Sequence, residues 1–419
     1  MEIVNSSSES SIVQRSIRGL IIFLAISVSL PIAWISLAKT LLLIFGLVLI
    51  LYAYLFKKSD YRFFGSDMPL ASKVALVSVL AFGLSLFYTH VDLSFGWHAF
   101  LKHCKFLIFP LLVYFIRDRR TAIIAVSVFL VAQCALIVCS WLIYFGVTPP
   151  WSVDTPGKNV VFSSYIDQSI MFTVDAAMLW HLRKITTIPV RLSIFFALAA
   201  LVNTFLLLEG RTGYVVALIT VGLAAMWAVP RRLQLIALVL TPLLLVSALF
   251  ITSTQIQTRV NQVFKGASEF STKHDQATSE GWRLNAWSRS IQAISGEPLL
   301  GYGAGSWSYA VKKMEGQQGD MVFGKTNSSN PHQEYLLWGV ELGLMGIALL
   351  CTFIASAAWE VRLFSPPVAR ACWSILAVTS FACLFNSALY DDLIGDYLLV
   401  ALGLTMAVGV KRVERDHEC

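Results

Sequence analysis

The hexapeptide Asn330-Pro331-His332-Gln333-Glu334-Tyr335 closes a polar stretch just before the chain turns apolar again. An unperturbed imidazole titrates near neutrality, which makes His332 a natural general base. Arg211 stands alone in Glu209-Gly210-Arg211-Thr212-Gly213, between two apolar runs. Arg283 lies in the polar stretch, flanked by Trp282 and Trp287. A guanidinium stays charged and grips phosphate oxygens in a planar, two-pronged fashion. Helix starts at Thr212 and near His332 would add partial positive charge for an anion. A base with an anion clamp is the chemistry these residues allow. Plainer roles compete: an interfacial anchor for Arg211, a solvated helix face for Arg283 and more so for Arg289, a polar interfacial residue for His332.

The acids have two readings each. Asp391 and Asp392 could orient a base or bind acceptor hydroxyls, or simply favour a helix start. Asp167 and Gln168 sit at the edge of an apolar run. An acid inside a span is functional by default, but a small boundary shift moves Asp167 to the interface. The polar segments hold no Asp-x-Asp, and no metal site is expected.

The elements that must hold these residues are membrane spans. The chain of 419 residues is 57% hydrophobic and 14% charged, where a soluble domain is about a quarter charged. Apolar runs long enough to cross a bilayer fall at 18–37, 40–56, 70–88, 102–116, 121–145, 160–180, 191–208, 212–229, 233–252, 341–358, 369–386 and 392–410. The expectation is an all-α polytopic membrane protein of about twelve helices; barrel strands would alternate instead. Residues 1–252 would carry nine spans, 253–340 a large loop, and 341–419 three spans and a tail. Arg15 and Arg18 precede a full-length first span, so no cleavable leader is expected.

Basic residues orient the spans. With the N-terminus inside, the inside segments hold 19 of the 32 Lys and Arg residues. The short outside connections hold Lys39, Lys102, Lys105, Lys158 and Arg211, and the other eight lie in the long loop. Long loops are exempt from the bias, so this one is expected outside, with both termini cytoplasmic. None of the seven cysteines lies in that loop, which needs no disulfide in an oxidising compartment. The net charge of +7 suits the inside bias and anionic lipids. No nucleic-acid partner is expected, because the cations are split between two faces.

Within the loop, 254–268 and 281–295 have helical spacing, and 266–280 is rich in Ser and Thr. Gly296-Glu297-Pro298 should stop the second helix, and Gly301 to Gly305 should form a tight turn. A continuous span from His332 would bury Glu341 in hydrocarbon, at a cost of several kcal/mol unless paired. A short helix at 331–338, a bend between Gly339 and Gly343 and a span from Glu341 avoid this. His332 would then ride on an interfacial helix, with Pro331 in its first turn.

Outside the cytoplasm there are no nucleotide sugars. A glycan-building enzyme there needs a membrane-anchored, activated donor such as a polyprenyl diphosphate sugar. Such a site requires cations for the diphosphate and a base for the acceptor. Here the chain resembles the O-antigen ligase family of Gram-negative inner membranes. Three pieces carry the resemblance: Gly210-Arg211-Thr212-Gly213 opening a span; Arg283 to Trp287 with Pro298 to Gly305; and Asn330 to Leu336 with Glu341 to Gly346. The family more often has His-Asn where this chain has His332-Gln333.

The resemblance implies a GT-C-like fold. It implies transfer of a preassembled O-antigen polysaccharide from undecaprenyl diphosphate to a lipid A-core sugar, at the periplasmic face of the inner membrane. It makes His332 the base and Arg211 and Arg283 the diphosphate ligands. Arg289, Gln333, Tyr335 and Asp391 are possible supporting residues. No cofactor is implied, and the displacement would be metal-independent and inverting. Related readings are an O-antigen polymerase and a protein O-glycosyltransferase. The latter usually carries an extra C-terminal domain, which an end at Cys419 speaks against. A polysaccharide transporter or flippase is the alternative from another class. It would place charges inside the spans rather than outside.

Overall fold

The computed structural model describes residues 2–56, 68–149, 159–252, 279–318 and 330–410, with isolated positions between 254 and 261. Every regular element among them is helical. The helices are α1 (Glu2–Ser27), α2 (Ile32–Leu55), α3 (Leu70–Ser85), α4 (Leu93–His103), α5 (Ile108–Phe115), α6 (Arg119–Tyr144), α7 (Tyr165–Leu182), α8 (Val190–Leu206), α9 (Arg211–Ala228) and α10 (Gln234–Thr252). A 3-10 turn at Cys104–Leu107 joins α4 to α5. The loop contributes α11 (Ser279–Gly296) and α12 (Trp307–Gln318). Then come α13 (Glu334–Val361), α14 (Pro366–Phe385) and α15 (Asp392–Gly409).

Each of the twelve expected spans meets a helix. Among the described residues, eight helical stretches are long and apolar enough to cross a membrane, counting α4 and α5 as one, and α3 and α8 are shorter apolar helices. Helix α15 is the central post, with 89% of its apolar window buried. Helix α10 buries none of its window and packs on α9 at the rim. Away from α9, its surface faces what surrounds the bundle.

Two boundaries differ from expectation. The first span ends at Ser27, about ten residues early, and α2 starts at Ile32 behind Pro31. Proline fixes its own φ and keeps the preceding residue out of the helical region. That moves Lys39 from a connection into α2, where its Nζ lies 2.7 Å from the buried Asp396 Oδ2. Likewise Lys102 and Lys105 lie in the broken α4–α5 helix rather than in a connection. The expected helix at 254–268 and the Ser/Thr-rich segment fall largely outside the described residues.

The loop builds a small core of its own. Ala286, Ala293 and Ile294 of α11 meet Trp307, Ala310 and Val311 of α12, and Leu337 and Val340 of α13. Residues 281–295 were expected to be amphipathic, and the helix stops at Gly296 as foreseen. Helix α12 was not foreseen.

The loop's glycine turn locks onto a kink in α13. Gly343 has φ +66° and ψ −158° inside that helix, within the bend expected for Gly339 to Gly343. The kink frees the carbonyls of Val340 and Glu341. They accept hydrogen bonds from Tyr302 N and Gly303 N, both 2.9 Å. Gly301 and Gly343 approach so closely that a Cβ on Gly301 would lie 2.5 Å from Val340 O. The same turn is held by the connection before α4: Thr89 Oγ1 donates to Ala304 O at 2.9 Å and His90 N to Tyr302 O at 3.1 Å.

Glu341 is fully buried and satisfied. Its Oε1 accepts from Gly305 N at 2.8 Å, and its Oε2 lies 2.9 Å from His103 Nε2. His103 stacks on Phe82.

Candidate active site

His332 is not on a helix. It precedes Gln333, the N-cap of α13, and has φ +50°. The left-handed region is sparsely used by residues other than glycine and is frequent at functional sites. The cause is local. Pro31's effect on its neighbour recurs at Pro331, which disfavours the helical region at Asn330. Asn330 then curls its side chain back, and Oδ1 accepts the His332 N–H at 2.9 Å. This side-chain turn replaces the first helical turn expected over Pro331. Gln333 Oε1 caps the helix by accepting from Leu336 N at 2.6 Å, so it acts on the helix that carries the histidine.

The imidazole is partly buried against Trp282, with ring centroids 5.5 Å apart and the rings inclined at 62°. Trp287 Nε1 donates to Pro331 O at 3.0 Å. Helix α11 thus clasps the His332 turn with two tryptophans, and Arg283 lies between them in sequence. Burial first, then the Arg283 charge, holds His332 below its ordinary pKa. Burial also draws the Arg283 guanidinium down, opposed by Tyr165 of α7. An arginine starts so high that it remains charged. Arg283 therefore lies within electrostatic reach of both His332 and the start of α7.

Arg211 opens α9, half-buried. The glycines around it allow close packing: a Cβ on Gly213 would lie 2.1 Å from Ser169 Oγ of α7. Next to it, Thr212 Oγ1 accepts from Asn386 Nδ2 at 2.9 Å. The following Ser387 donates its hydroxyl to Asn330 Oδ1 at 3.1 Å. Three hydrogen bonds and the Asn386–Ser387 peptide link form one path, Thr212 to Asn386 to Ser387 to Asn330 to His332, from the α9 start to the histidine.

Glu334 braces the same region. Its Oε1 accepts from Trp338 Nε1 at 2.9 Å. Its Oε2 accepts from Leu389 N at 3.0 Å and Tyr390 N at 3.1 Å. The segment 386–391 is thereby fixed against the His332 turn, and Asp391, its last residue, becomes the N-cap position of α15. Burial and the Asp167 charge push Asp391 up to about 6, against the nearby Lys105 and Lys102. Lys105 Nζ donates to Asp391 O at 2.8 Å and Tyr390 O at 3.1 Å.

The remaining candidates fall further from the centre. Arg289 lies on the buried face of α11, 4% exposed, with Nη1 3.4 Å from Gln292 Oε1. Tyr335 OH donates to Ser380 O at 3.3 Å and ties α13 to α14. Gln168 is structural: its amide bonds Val161 N, Ser140 Oγ and Asn159 O.

Sequence reasoning missed Asn330 as a side chain, Asn386, Ser387 and the role of Glu334. The pair Asn330-Pro331 was a turn signal. For Asn386 and Ser387 the polar interruption before Asp391 was the available hint.

The family model described as O-antigen ligase matches residues 176–351. That stretch runs from within α7 into α13 and contains Arg211, Arg283 and His332. A search among curated proteins returns no match.

Proposed function

We propose, for a chain whose residues 176–351 belong to the O-antigen ligase family, that it transfers a preassembled O-antigen polysaccharide from undecaprenyl diphosphate to a lipid A-core sugar hydroxyl. The family itself makes the protein a membrane glycosyltransferase of the ligase or polymerase type, with a lipid-linked polysaccharide donor and an acceptor. Donor, acceptor and residue roles are our reading. The reaction belongs at the periplasmic face of a bacterial inner membrane, where the connections carrying few short-loop cations meet.

The observation that carries the reading is the path from Thr212 to His332. It ties the start of α9, which carries Arg211, to the His332 turn, and Trp282 and Trp287 hold the helix that carries Arg283 on that same turn. Neutral His332 takes the proton from the acceptor hydroxyl. The hydroxyl oxygen forms a bond to the anomeric carbon of the first donor sugar. The bond from that carbon to the diphosphate oxygen breaks, and its electron pair leaves on the diphosphate. Arg211 and Arg283 hold the charge that develops there. One displacement of this kind inverts the anomeric centre. Diphosphate is a good leaving group, so orientation and electrostatics supply most of the acceleration. A lowered His332 pKa keeps the imidazole in its proton-accepting form at neutral pH.

Complementation of a ligase-deficient strain tests the roles. His332→Ala and Arg211→Ala should each abolish long-chain lipopolysaccharide while the protein still inserts. Normal long-chain product from either variant removes that residue from the mechanism.

A further inference from the structure

The far ends of α7 and α9 hold a second site of different character. A cleft of about 240 Å³ is lined by Trp180, His181, Arg183, Trp227 and Arg370, with Lys184 beside them. Three cations line it and no carboxylate does. Arg183 lies over the Trp180 ring at 4.6 Å and donates to Trp180 O. His181 is 8% exposed, packs edge-on to Trp227, and its Nε2 has no hydrogen-bond partner. Among the described residues, none of Arg183, Lys184 and Arg370 forms an ion pair. A buried, unsatisfied imidazole beside three cations is costly unless an anion with hydrogen-bonding oxygens completes it.

The cleft continues into an apolar groove of about 290 Å³ between α7, α8 and α9. The two share Trp180, His181, Ala224 and Ala228 as walls. The rest of the groove is alanine, leucine and valine with one threonine. Polar head and apolar tail are thus joined along α9, a helix long and apolar enough to cross a membrane. The site lies roughly 26 Å from Tyr165 and Arg211, at 1.5 Å per residue along α7 and α9. It sits among the basic segments expected to face the cytoplasm, where anionic lipids gather juxtamembrane cations.

We propose that this cleft and groove bind an anionic phospholipid, with its phosphate on Arg183, Arg370 and His181 and an acyl chain between α8 and α9. Charge complementarity selects the headgroup and the alanine-lined groove admits the chain. The bound lipid would clamp the far ends of the two helices whose near ends carry Tyr165 and Arg211. The inference stands independently of the glycosyltransferase reading.

The test uses the purified full chain in detergent, titrated with phosphatidylglycerol, phosphatidylethanolamine or inorganic phosphate. Native mass spectrometry reads retained lipid and thermal unfolding reads stabilisation. Phosphatidylglycerol should bind and raise the melting temperature; the other two should do neither at equal concentration. The double variant Arg183→Gln, Arg370→Gln should bind phosphatidylglycerol on the order of thirtyfold more weakly, given what a juxtamembrane cation adds against anionic lipid. Ala224→Leu fills the shared wall without changing charge and should also weaken binding. It serves as the test if the double variant fails to fold. Equal stabilisation by phosphatidylethanolamine, or by phosphate alone, overturns the proposal. So does unchanged phosphatidylglycerol affinity in Ala224→Leu.

Discussion

At the residue scale, proton affinities set by burial and neighbouring charge tune the site. His332 is held below its ordinary value by burial and by Arg283. The unfolded chain therefore takes the proton first as pH falls through about 6.5, and the folded state loses stability between that value and the lower folded one. His332→Ala should flatten this acid limb of the melting temperature. Transfer by the native protein should likewise decline only below about pH 6.5, measured in single turnover. A decline that begins above neutrality would contradict the lowered value. Asp391 has the opposite shift, raised to about 6. Its carboxyl is protonated more readily in the folded state, so ionisation costs stability as pH rises from about 3.9 towards 6. Asp391→Asn should therefore melt higher at pH 7, with the difference shrinking towards pH 4. An unchanged or lower melting temperature at pH 7 would show that the ionised carboxylate is favourably held.

At the element scale, the site depends on one kinked helix and one turn gripping each other. A Cβ on Gly343 would fall 2.5 Å from the Leu299 carbonyl, and its φ of +66° suits glycine. Gly343→Ala should cost about 1–3 kcal/mol in backbone strain alone, seen as a lower melting temperature and loss of transfer. Unchanged melting would show that α13 straightens without penalty. The kink was legible in the sequence, because Glu341 could not be buried unpaired between two glycines. Its partner His103 was not legible: the pairing spans 238 positions, and nothing local announces it. For the same reason Lys39 reads as part of an outside connection, whereas the break at Pro31 places it in α2 opposite Asp396. Helix α11 was readable from its apolar spacing. The left-handed His332 was not, because the Asn330 side chain that holds it competes with a proline that suits a helix start.

At the scale of the whole molecule, connections distant in sequence converge at one end: Thr89 and His90 on the glycine turn, Thr212 on Asn386, Ser387 on Asn330. On the charge bias, that end is the one expected outside. A cysteine at the exposed Lys312, in a background lacking native cysteines, should react with a membrane-impermeant maleimide in intact spheroplasts. One at the exposed Lys184 should react only after permeabilisation. The reverse pattern would invert the topology and remove the lipid-linked donor from reach. The central claim is that His332 drives transfer from a lipid diphosphate to an acceptor hydroxyl. It is tested most directly with purified protein, an undecaprenyl diphosphate-linked glycan and lipid A-core, in EDTA. The account predicts capped lipid A-core from the native protein and a loss of about 10²–10⁴-fold in rate for His332→Ala. Full activity in His332→Ala, product that vanishes with EDTA, or elongation of the lipid-linked glycan in place of capping would contradict it.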